Sequence, residues 1–191
     1  MTRWMSVAVL LMGAGGAWGA EAVDVCYDYG CAVEAPVLFS GDQLAVVAEL
    51  MGLARTAEDE RALLALAVGR LYTWSGEQTP VWRDRGGNID DDDNEAGRMD
   101  CIDHSTTTTR FLNLIEAHGW LRFHRVLPVE RRTLFIVSQH FSAAIEELGP
   151  VRDPEHTEPE RFVVDTWFRD NGQPAVILPL EDWQDGAGPE D

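Results

Sequence analysis

The hydrophobic pattern of this chain changes its period at Gly119, and this change limits the possible folds more than any other feature. Before Gly119, apolar residues recur three and four positions apart, as they do on one face of an α-helix. After it, short runs of β-branched and aromatic residues alternate in part with polar ones, as in β-strands. Helices followed by strands predict an α+β domain with an antiparallel sheet.

Two amphipathic helices are predicted in the first half of the chain. One covers residues 40–54, where Ser40 and Gln43 match the pattern of a capping box. The other covers residues 56–74, with Thr56 as N-cap and three acids in its first turn, where the helix dipole favours negative charge. Each helix presents one apolar face.

A third helix is predicted from Cys101 to His118, with Asp100 as N-cap and Gly119 just beyond its end. The four threonines at 106–109 are poor helix formers, because β-branching restricts χ1 and the hydroxyls compete for backbone carbonyls. Tertiary packing must therefore hold this helix. We expect it to lie centrally, with its small residues against the sheet.

The strand-like runs after Gly119 cover residues 120–127, 133–140, 140–148 and 161–168. Asn171-Gly172 separates the last of these from another apolar run, which is a strong hairpin signal. Pro174 indicates an edge position or an irregular start for the strand that follows.

The first residues have the pattern of a secretory signal peptide. Arg3 precedes an apolar run at 4–14, and small residues then allow cleavage after Gly19 or after Ala22. No other stretch is long and apolar enough to cross a membrane. We therefore predict a signal peptide over residues 1–22, one domain over 23–183, an acidic disordered tail over 184–191, and a periplasmic or secreted location.

The charge of the chain argues against nucleic acid as a partner. With 33 acidic and 15 basic residues the formal net charge is −18, which repels phosphates and anionic membrane surfaces. The sequence leaves the oligomeric state open.

The three cysteines divide into a close pair and a single residue. Cys26 and Cys31 lie in "CYDYGC", where Gly30 helps the chain to turn, so a local disulfide is predicted. Cys101 is then unpaired in an oxidising compartment. It is either a small buried residue or a nucleophile, and its position at a helix N-terminus favours the thiolate that a nucleophile needs.

A cysteine nucleophile needs a base, and the base needs an orienting partner. His140 opens a predicted strand, and Asp165 lies within an apolar strand, where a carboxylate is costly to bury unless it is hydrogen-bonded or charge-paired. A histidine on the adjacent strand is the natural partner for Asp165. His104, three residues after Cys101, stays an alternative. The other histidines have ordinary explanations: His118, His124 and His156.

A cysteine at a helix start in "MDCIDHSTTTTRFLNLIEAHGW", then a histidine at a strand start, then an aspartate in "ERFVVDTW" resembles the bacterial transglutaminase-like cysteine peptidases of the papain-like, transglutaminase-fold superfamily. The resemblance covers roughly residues 58–167. It implies N-terminal helices and a central cysteine-bearing helix packed on an antiparallel sheet. It also implies Cys101 as nucleophile, His140 as general base and Asp165 as the group that orients the base.

The resemblance adds two further expectations. A side chain upstream of the nucleophile usually completes the oxyanion hole, and the candidates are Gln78, Trp74 and Trp82. Some relatives bind calcium through acids that flank the cysteine. Asp100 and Asp103 keep part of that frame, although Ile102 stands where relatives often carry an acid and His104 falls near the position of their aromatic residue.

Calcium is also considered for the long polar segment before Cys101. Asp90, Asp92, Asn94 and Asp100 are oxygen ligands of the kind calcium prefers, but their spacing does not follow the EF-hand rule. A solvated acidic loop is the alternative. No cofactor is required by the expected chemistry, and calcium is the one considered.

The function predicted from the sequence is an exported cysteine hydrolase that cleaves an amide bond in a protein or peptide through an acyl-enzyme. An acyl transferase would share the same intermediate. Two rival hypotheses belong to other classes: an inactive module of the same fold that binds a periplasmic partner, and a calcium-dependent structural or sensor protein.

Overall fold

The computed structural model describes residues 19–87, 95–134, 138–149 and 159–189. In chain order its elements are strands β1 (Glu21–Tyr27) and β2 (Val33–Phe39), helices α1 (Gly41–Gly52) and α2 (Ala57–Gly76), a short 3-10 helix (Pro80–Arg83), helix α3 (Cys101–Ala117), strands β3 (His124–Leu134), β4 (Ser138–Glu147), β5 (Arg161–Asp165) and β6 (Val176–Pro179), and helix α4 (Leu180–Gln184). The fold is α+β with antiparallel sheets.

The three predicted helices form, and each begins where its cap was expected. The Ser40 hydroxyl accepts from the N–H of Gln43 at the start of α1, and the Thr56 hydroxyl accepts from the N–H of Asp59 at the start of α2. In both helices the third residue returns a side-chain bond to the backbone of the cap, so two otherwise unpaired N–H groups are satisfied. These signals are local, which is why sequence alone places them.

An N-terminal hairpin precedes the helices, and the sequence did not predict it. Strands β1 and β2 pair antiparallel in a two-stranded sheet of their own. This sheet packs on α3, where the N–H of Cys26 donates to the Thr107 hydroxyl at 3.0 Å. Because β1 starts at Glu21, cleavage after Gly19 would leave it whole, whereas cleavage after Ala22 would remove its first two residues.

The larger sheet has four antiparallel strands in the order β3-β4-β5-β6. Its register pairs Leu134 with Ser138, so the chain reverses between β3 and β4. A single strand over 133–140 was therefore a wrong prediction, because that apolar run contains the reversal rather than one continuous strand. Residues 135–137 lie outside the described part of the chain.

Strands β5 and β6 are antiparallel neighbours, as the Asn171-Gly172 signal predicted, but their connection is longer than a tight turn. β5 ends at Asp165 and β6 begins at Val176, with β6 at the edge of the sheet. Gly172 has φ +82° and lies so close to helix α2 that a Cβ would come within 2.6 Å of the Thr73 hydroxyl. Packing against α2 thus shapes the connection.

Helix α3 lies centrally, as its threonines suggested. It contacts the N-terminal hairpin and strands β3, β4 and β5 as well as α2. Thr107 and Thr108 are fully buried, and the Thr108 hydroxyl lies 3.0 Å from that of Tyr72 on α2. The buried core further along α3 includes Phe111, Leu112 and Ile115. Small hydroxyl residues at the first half of the helix therefore allow close approach of its neighbours.

The C-terminal segment is folded further than predicted. Gln184 belongs to α4, and the N–H of Ala187 donates to the carbonyl of Asp182 at 2.9 Å. The disordered tail predicted from 184 therefore cannot begin before residue 188. Of the helices in the described ranges, none combines the length and apolar character needed to cross a membrane.

Candidate active site

Cys101 is the first residue of α3 and the free cysteine of the chain. Its helix begins with a full capping box, in which the Asp100 carboxylate accepts from the N–H groups of Ile102 and Asp103. The side chain is partly exposed. Cys101 therefore sits at the positive end of the central helix while it stays accessible to a reactant. Cys26 and Cys31 form a disulfide.

His140 and Asp165 come from neighbouring strands and form a buried pair. His140 lies near the start of β4 and Asp165 is the last residue of β5. The Nε2 atom of His140 is 2.7 Å from Oδ2 of Asp165. His140 is 8 % exposed and Asp165 is 1 % exposed. The carboxylate thus gains the histidine partner that its burial in an apolar strand requires.

The Cys101 side chain lies close enough to the same histidine to act on its pKa. Since Nε2 bonds Asp165, Nδ1 is the ring nitrogen left for a second partner. Burial, the largest single effect, lowers the pKa of His140, but the hydrogen bonds and negative charges of Asp165 and Cys101 together raise the pKa to about 9. The imidazole is therefore protonated at neutral pH.

Two further donors satisfy the Asp165 carboxylate. The indole N–H of Trp183 donates to Oδ2 at 3.0 Å, and the backbone N–H of Trp167 donates to Oδ1 at 3.1 Å. With His140 these make three hydrogen bonds to one buried carboxylate. Such a carboxylate is fixed in position, so it can hold the imidazole ring in one orientation.

Aromatic rings surround the His140–Asp165 pair. The ring centroids of Trp167, Phe168 and Trp183 lie 4.7, 5.6 and 5.6 Å from that of His140. These rings limit the access of water to the pair, which strengthens the electrostatic interaction between imidazole and carboxylate.

The sequence reasoning missed Trp183 and its support, Arg132. The Arg132 guanidinium donates to the carbonyls of Trp183 and Ala187 at 2.6 and 2.8 Å and lies 4.7 Å from the centroid of the Trp183 ring. Burial lowers the pKa of Arg132, and the nearby charge of Asp165 opposes that effect. The available signal for a folded segment was the tryptophan in "LEDWQ", next to the predicted disordered tail. Its partner Arg132 is 51 residues away, so the sequence does not indicate the pairing.

His104 lies in a different buried network. Its Nε2 atom is 2.9 Å from Oδ2 of Asp84, and its Nδ1 atom is 2.9 Å from the Thr166 hydroxyl. Oδ1 of Asp84 accepts from the N–H of Met99, two residues before Cys101. Both ring nitrogens of His104 are thus engaged away from Cys101. This geometry places His104 as a support for the chain segments next to Cys101 and Asp165.

The remaining histidines have structural partners where they are described. His124 is fully buried against Glu60, with Nδ1 2.9 Å from Oε1, and His118 at the end of α3 pairs with Glu21 at 2.8 Å. His156 lies outside the described residues.

The predicted oxyanion candidates lie on the α2 side of the molecule. Gln78 uses its amide nitrogen to donate to the carbonyls of Leu38 and Trp74, at 3.1 and 3.3 Å, so both amide protons are engaged and neither is left for an oxyanion. The Trp74 ring packs edge-on against Phe39. Trp82 is 57 % exposed, with a guanidinium over its ring. Of the predicted site residues, His140 and Asp165 are hydrogen-bonded to each other, and Cys101 acts on the pKa of His140.

The predicted calcium ligands Asp100 and Asp103 are engaged with backbone donors. Oδ1 of Asp100 accepts from the first turn of α3, and its Oδ2 accepts from Gly30 at 3.0 Å. Asp103 accepts from Tyr29 and Asp100 on Oδ2 and from Cys31 on Oδ1. Because N–H groups surround all four oxygens, this pair suits capping and not a cation. Asp90, Asp92 and Asn94 lie outside the described residues.

Comparison of the chain with family models, with curated proteins and with solved structures finds no match in any of the three.

Proposed function

We propose that this protein is an exported cysteine hydrolase that cleaves an amide bond in a protein or peptide through a Cys101–His140–Asp165 triad. One observation carries the proposal: His140 bonds Asp165 through Nε2 at 2.7 Å, and the Cys101 side chain acts on the pKa of the same ring. The three residues come from α3, β4 and β5. Nucleophilic catalysis needs a nucleophile beside a base, and a base that is oriented by a third group. Packing of the three elements places a cysteine, a histidine and an aspartate in that order.

The first step is attack of the Cys101 sulfur on the substrate carbonyl carbon. The carbonyl π bond breaks, and its oxygen takes up the negative charge of the thiolate. A donor for this oxyanion is the backbone N–H of Cys101. The Asp100 cap takes the N–H groups of Ile102 and Asp103 but not that of Cys101, the first residue of the helix.

Collapse of the tetrahedral species breaks the carbon–nitrogen bond. Protonated His140 gives its Nδ1 proton to the leaving amine, which leaves a thioester on Cys101 and a neutral imidazole. His140 then takes a proton from water as the water attacks the thioester, and the carboxylic acid product departs. Asp165 keeps the ring orientation throughout and stabilises each imidazolium state.

The fold supports the assignment to a transglutaminase-like cysteine peptidase of the papain-like superfamily. A central helix carries the cysteine at its N-terminus and packs against an antiparallel sheet that carries the histidine and the aspartate. The Cys26–Cys31 disulfide is compatible with an oxidising compartment, as expected for an exported protein. Hydrolysis and acyl transfer share the acyl-enzyme, and we assign hydrolysis.

The test is the pH dependence of Cys101 alkylation by iodoacetamide, read by peptide mass mapping. In the wild-type protein we expect fast alkylation to persist at pH 6–7, where an ordinary cysteine with a pKa of about 8.5 is mostly protonated. His140→Ala should lose the reaction at low pH. His118→Ala, at the opposite end of the same helix, is the control and should keep the wild-type profile. Slow alkylation with one profile in all three proteins would contradict the triad.

Activity is then measured as release of new amino groups from a denatured protein substrate. The wild-type protein should release them and Cys101→Ser should not. Added primary amine that is incorporated in preference to water would identify an acyl transferase. A reactive Cys101 without either product would favour the partner-binding module.

A further inference from the structure

Four consecutive residues next to the disulfide adopt left-handed backbone conformations. Asp28, Tyr29 and Gly30 each have φ 64°, and Cys31 has φ 56°. Residues other than glycine rarely adopt this region of backbone angles, because their Cβ atom approaches the following carbonyl oxygen. We call residues 28–31 the left-handed turn. The Cys26–Cys31 disulfide closes the chain around it.

The backbone N–H groups of the left-handed turn converge on two carboxylates of α3. The N–H groups of Tyr29 and Cys31 donate to the two oxygens of Asp103 at 2.9 and 2.6 Å, and that of Gly30 donates to Asp100 at 3.0 Å. Successive N–H groups that point into one concavity bind anions well. Here the anions are the side chains of the helix itself.

The same carboxylates also build the first turn of α3. Asp100 accepts from the N–H groups of Ile102 and Asp103, and Asp103 accepts in return from the N–H of Asp100. Cys101 lies between these two acids in the sequence. The carboxylates therefore join the left-handed turn to the backbone on both sides of Cys101.

A second set of bonds holds the left-handed turn to the segment that leads into α3. The N–H of Asp28 donates to the carbonyl of Arg98 at 2.7 Å, and the Asp28 carboxylate accepts from Gly97 at 2.7 Å. Gly97 has φ +98°, and a Cβ there would lie 2.1 Å from the Pro80 carbonyl oxygen. This approach to Cys101 is thus fixed by close backbone contacts as well as by the acids.

We propose that the left-handed turn is a positioning device for Cys101, and that activation of Cys101 by His140 depends on the closed Cys26–Cys31 disulfide. The inference rests on the proposed function and deepens it by a means of regulation. Asp103 is its central positioning residue, because it is fully buried and joins the turn to the helix with both oxygens.

The physical reason is the separate origin of the reacting groups. His140 is held by β4 and by Asp165, whereas Cys101 is held by the start of α3. A displacement of one reacting atom by about 1 Å is enough to cost on the order of a hundredfold in rate. A dithiol reduces the Cys26–Cys31 disulfide to two thiols. The dithiol supplies two electrons and two protons and is itself oxidised to a disulfide. Without the cross-link, the disulfide no longer holds residues 28–31 in their left-handed conformations.

The test compares Asp103→Asn with a matched variant, Asp59→Asn. Asp59 is the capping-box acid at the same position of α2, so its replacement weakens a helix start without touching the left-handed turn. In Asp103→Asn we expect the pH midpoint of Cys101 alkylation to move toward that of His140→Ala, with a rate at pH 6 lower by at least about tenfold. Asp59→Asn should lower only the melting temperature.

Reduction is the second arm, and it needs no substitution. The protein is treated with dithiothreitol, desalted without oxygen and alkylated, and peptide mapping separates Cys101 from Cys26 and Cys31. We expect the same shift of the pH midpoint, faster hydrogen exchange at the amides of 102–104, and recovery of both on reoxidation.

Two results would overturn the inference. If wild-type Cys101 is reactive through His140 but both the reduced protein and Asp103→Asn keep the wild-type midpoint, the device is absent and the proposed function stands. If wild-type Cys101 is itself unreactive, the proposed function fails, and hydrogen exchange at 102–104 that does not respond to reduction then rejects the positioning role as well. Exchange that does respond would keep the device in a catalytically silent site.

Discussion

Asp165 is the residue on which the protonation of the site depends. Its carboxylate accepts from an imidazole, an indole and a backbone N–H in a nearly water-free position. Removal of its charge takes away the main interaction that opposes the effect of burial on His140. The protonation of His140 at neutral pH therefore depends chiefly on Asp165, with a second contribution from Cys101.

Asp165→Asn should lower the pKa of His140 from about 9 toward its ordinary value of 6.5, because burial is then opposed by Cys101 alone. The titration is followed by NMR of the imidazole ring. Asp24→Asn, an exposed carboxylate of β1, is the control and should leave the His140 titration unchanged. A His140 that still titrates near 9 in Asp165→Asn would contradict this account of the pair.

At the scale of elements, α4 contributes more to the site than its five residues suggest. Arg132 donates to the carbonyl of Trp183 in this helix, and the fully buried Trp183 ring donates to the Asp165 carboxylate. Helix α4 has no side-chain cap at its start, so tertiary contacts must hold it.

Trp183→Phe keeps most of the ring but removes the indole donor. We expect the free energy of unfolding to fall by about 1–3 kcal/mol, because one oxygen of a buried carboxylate loses a partner. Trp82→Phe is the matched variant at an exposed ring, and we expect it to change stability by less than about 0.5 kcal/mol. Chemical denaturation measures both. Equal stability of the two variants would mean that the Trp183–Asp165 bond contributes little.

Elements with local signals were predictable, and elements held by distant contacts were not. The caps at Ser40, Thr56 and Asp100 are read from neighbouring residues. Cys101 and His140 were chosen from their places at element starts, and Asp165 because a carboxylate within an apolar strand needs a partner. The β1–β2 hairpin was missed because its turn uses left-handed conformations at Tyr29 and Cys31, residue types that turn propensities do not favour there. The role of α4 depends on Arg132, far away in the sequence.

At the scale of the whole molecule, both ends of the described chain converge on the candidate site. The left-handed turn near the N-terminus holds the start of α3, and α4 near the C-terminus holds Asp165. The two contacts act on different residues of the candidate site. The site is thus completed only when the first and the last elements are in place, which links the fold as a unit to its chemistry.

The stability of the whole molecule should be greatest in mildly acidic solution. His140 has a raised pKa of about 9, so its contribution is complete below pH 6.5 and is lost as the pH rises through 9. Burial, opposed by backbone hydrogen bonds, raises the pKa of Asp103 to about 6. Its contribution to stability is therefore complete below about pH 4 and is lost as the pH rises from about 4 to 6. The net charge of −18 adds repulsion at high pH.

Glu60 sets the acid limit of that range. Burial raises its pKa, but the hydrogen bonds from His124 and from two backbone N–H groups outweigh burial and lower it, so this contribution is lost as the pH falls below the ordinary range of a glutamate. We therefore expect the free energy of unfolding to peak near pH 4–5 and to decline by a few kcal/mol toward pH 9. Chemical denaturation across this range tests the expectation, and His140→Gln should flatten the decline between pH 6.5 and 9. A decline that persists unchanged in His140→Gln would assign it to general charge repulsion and remove His140 from the pH response.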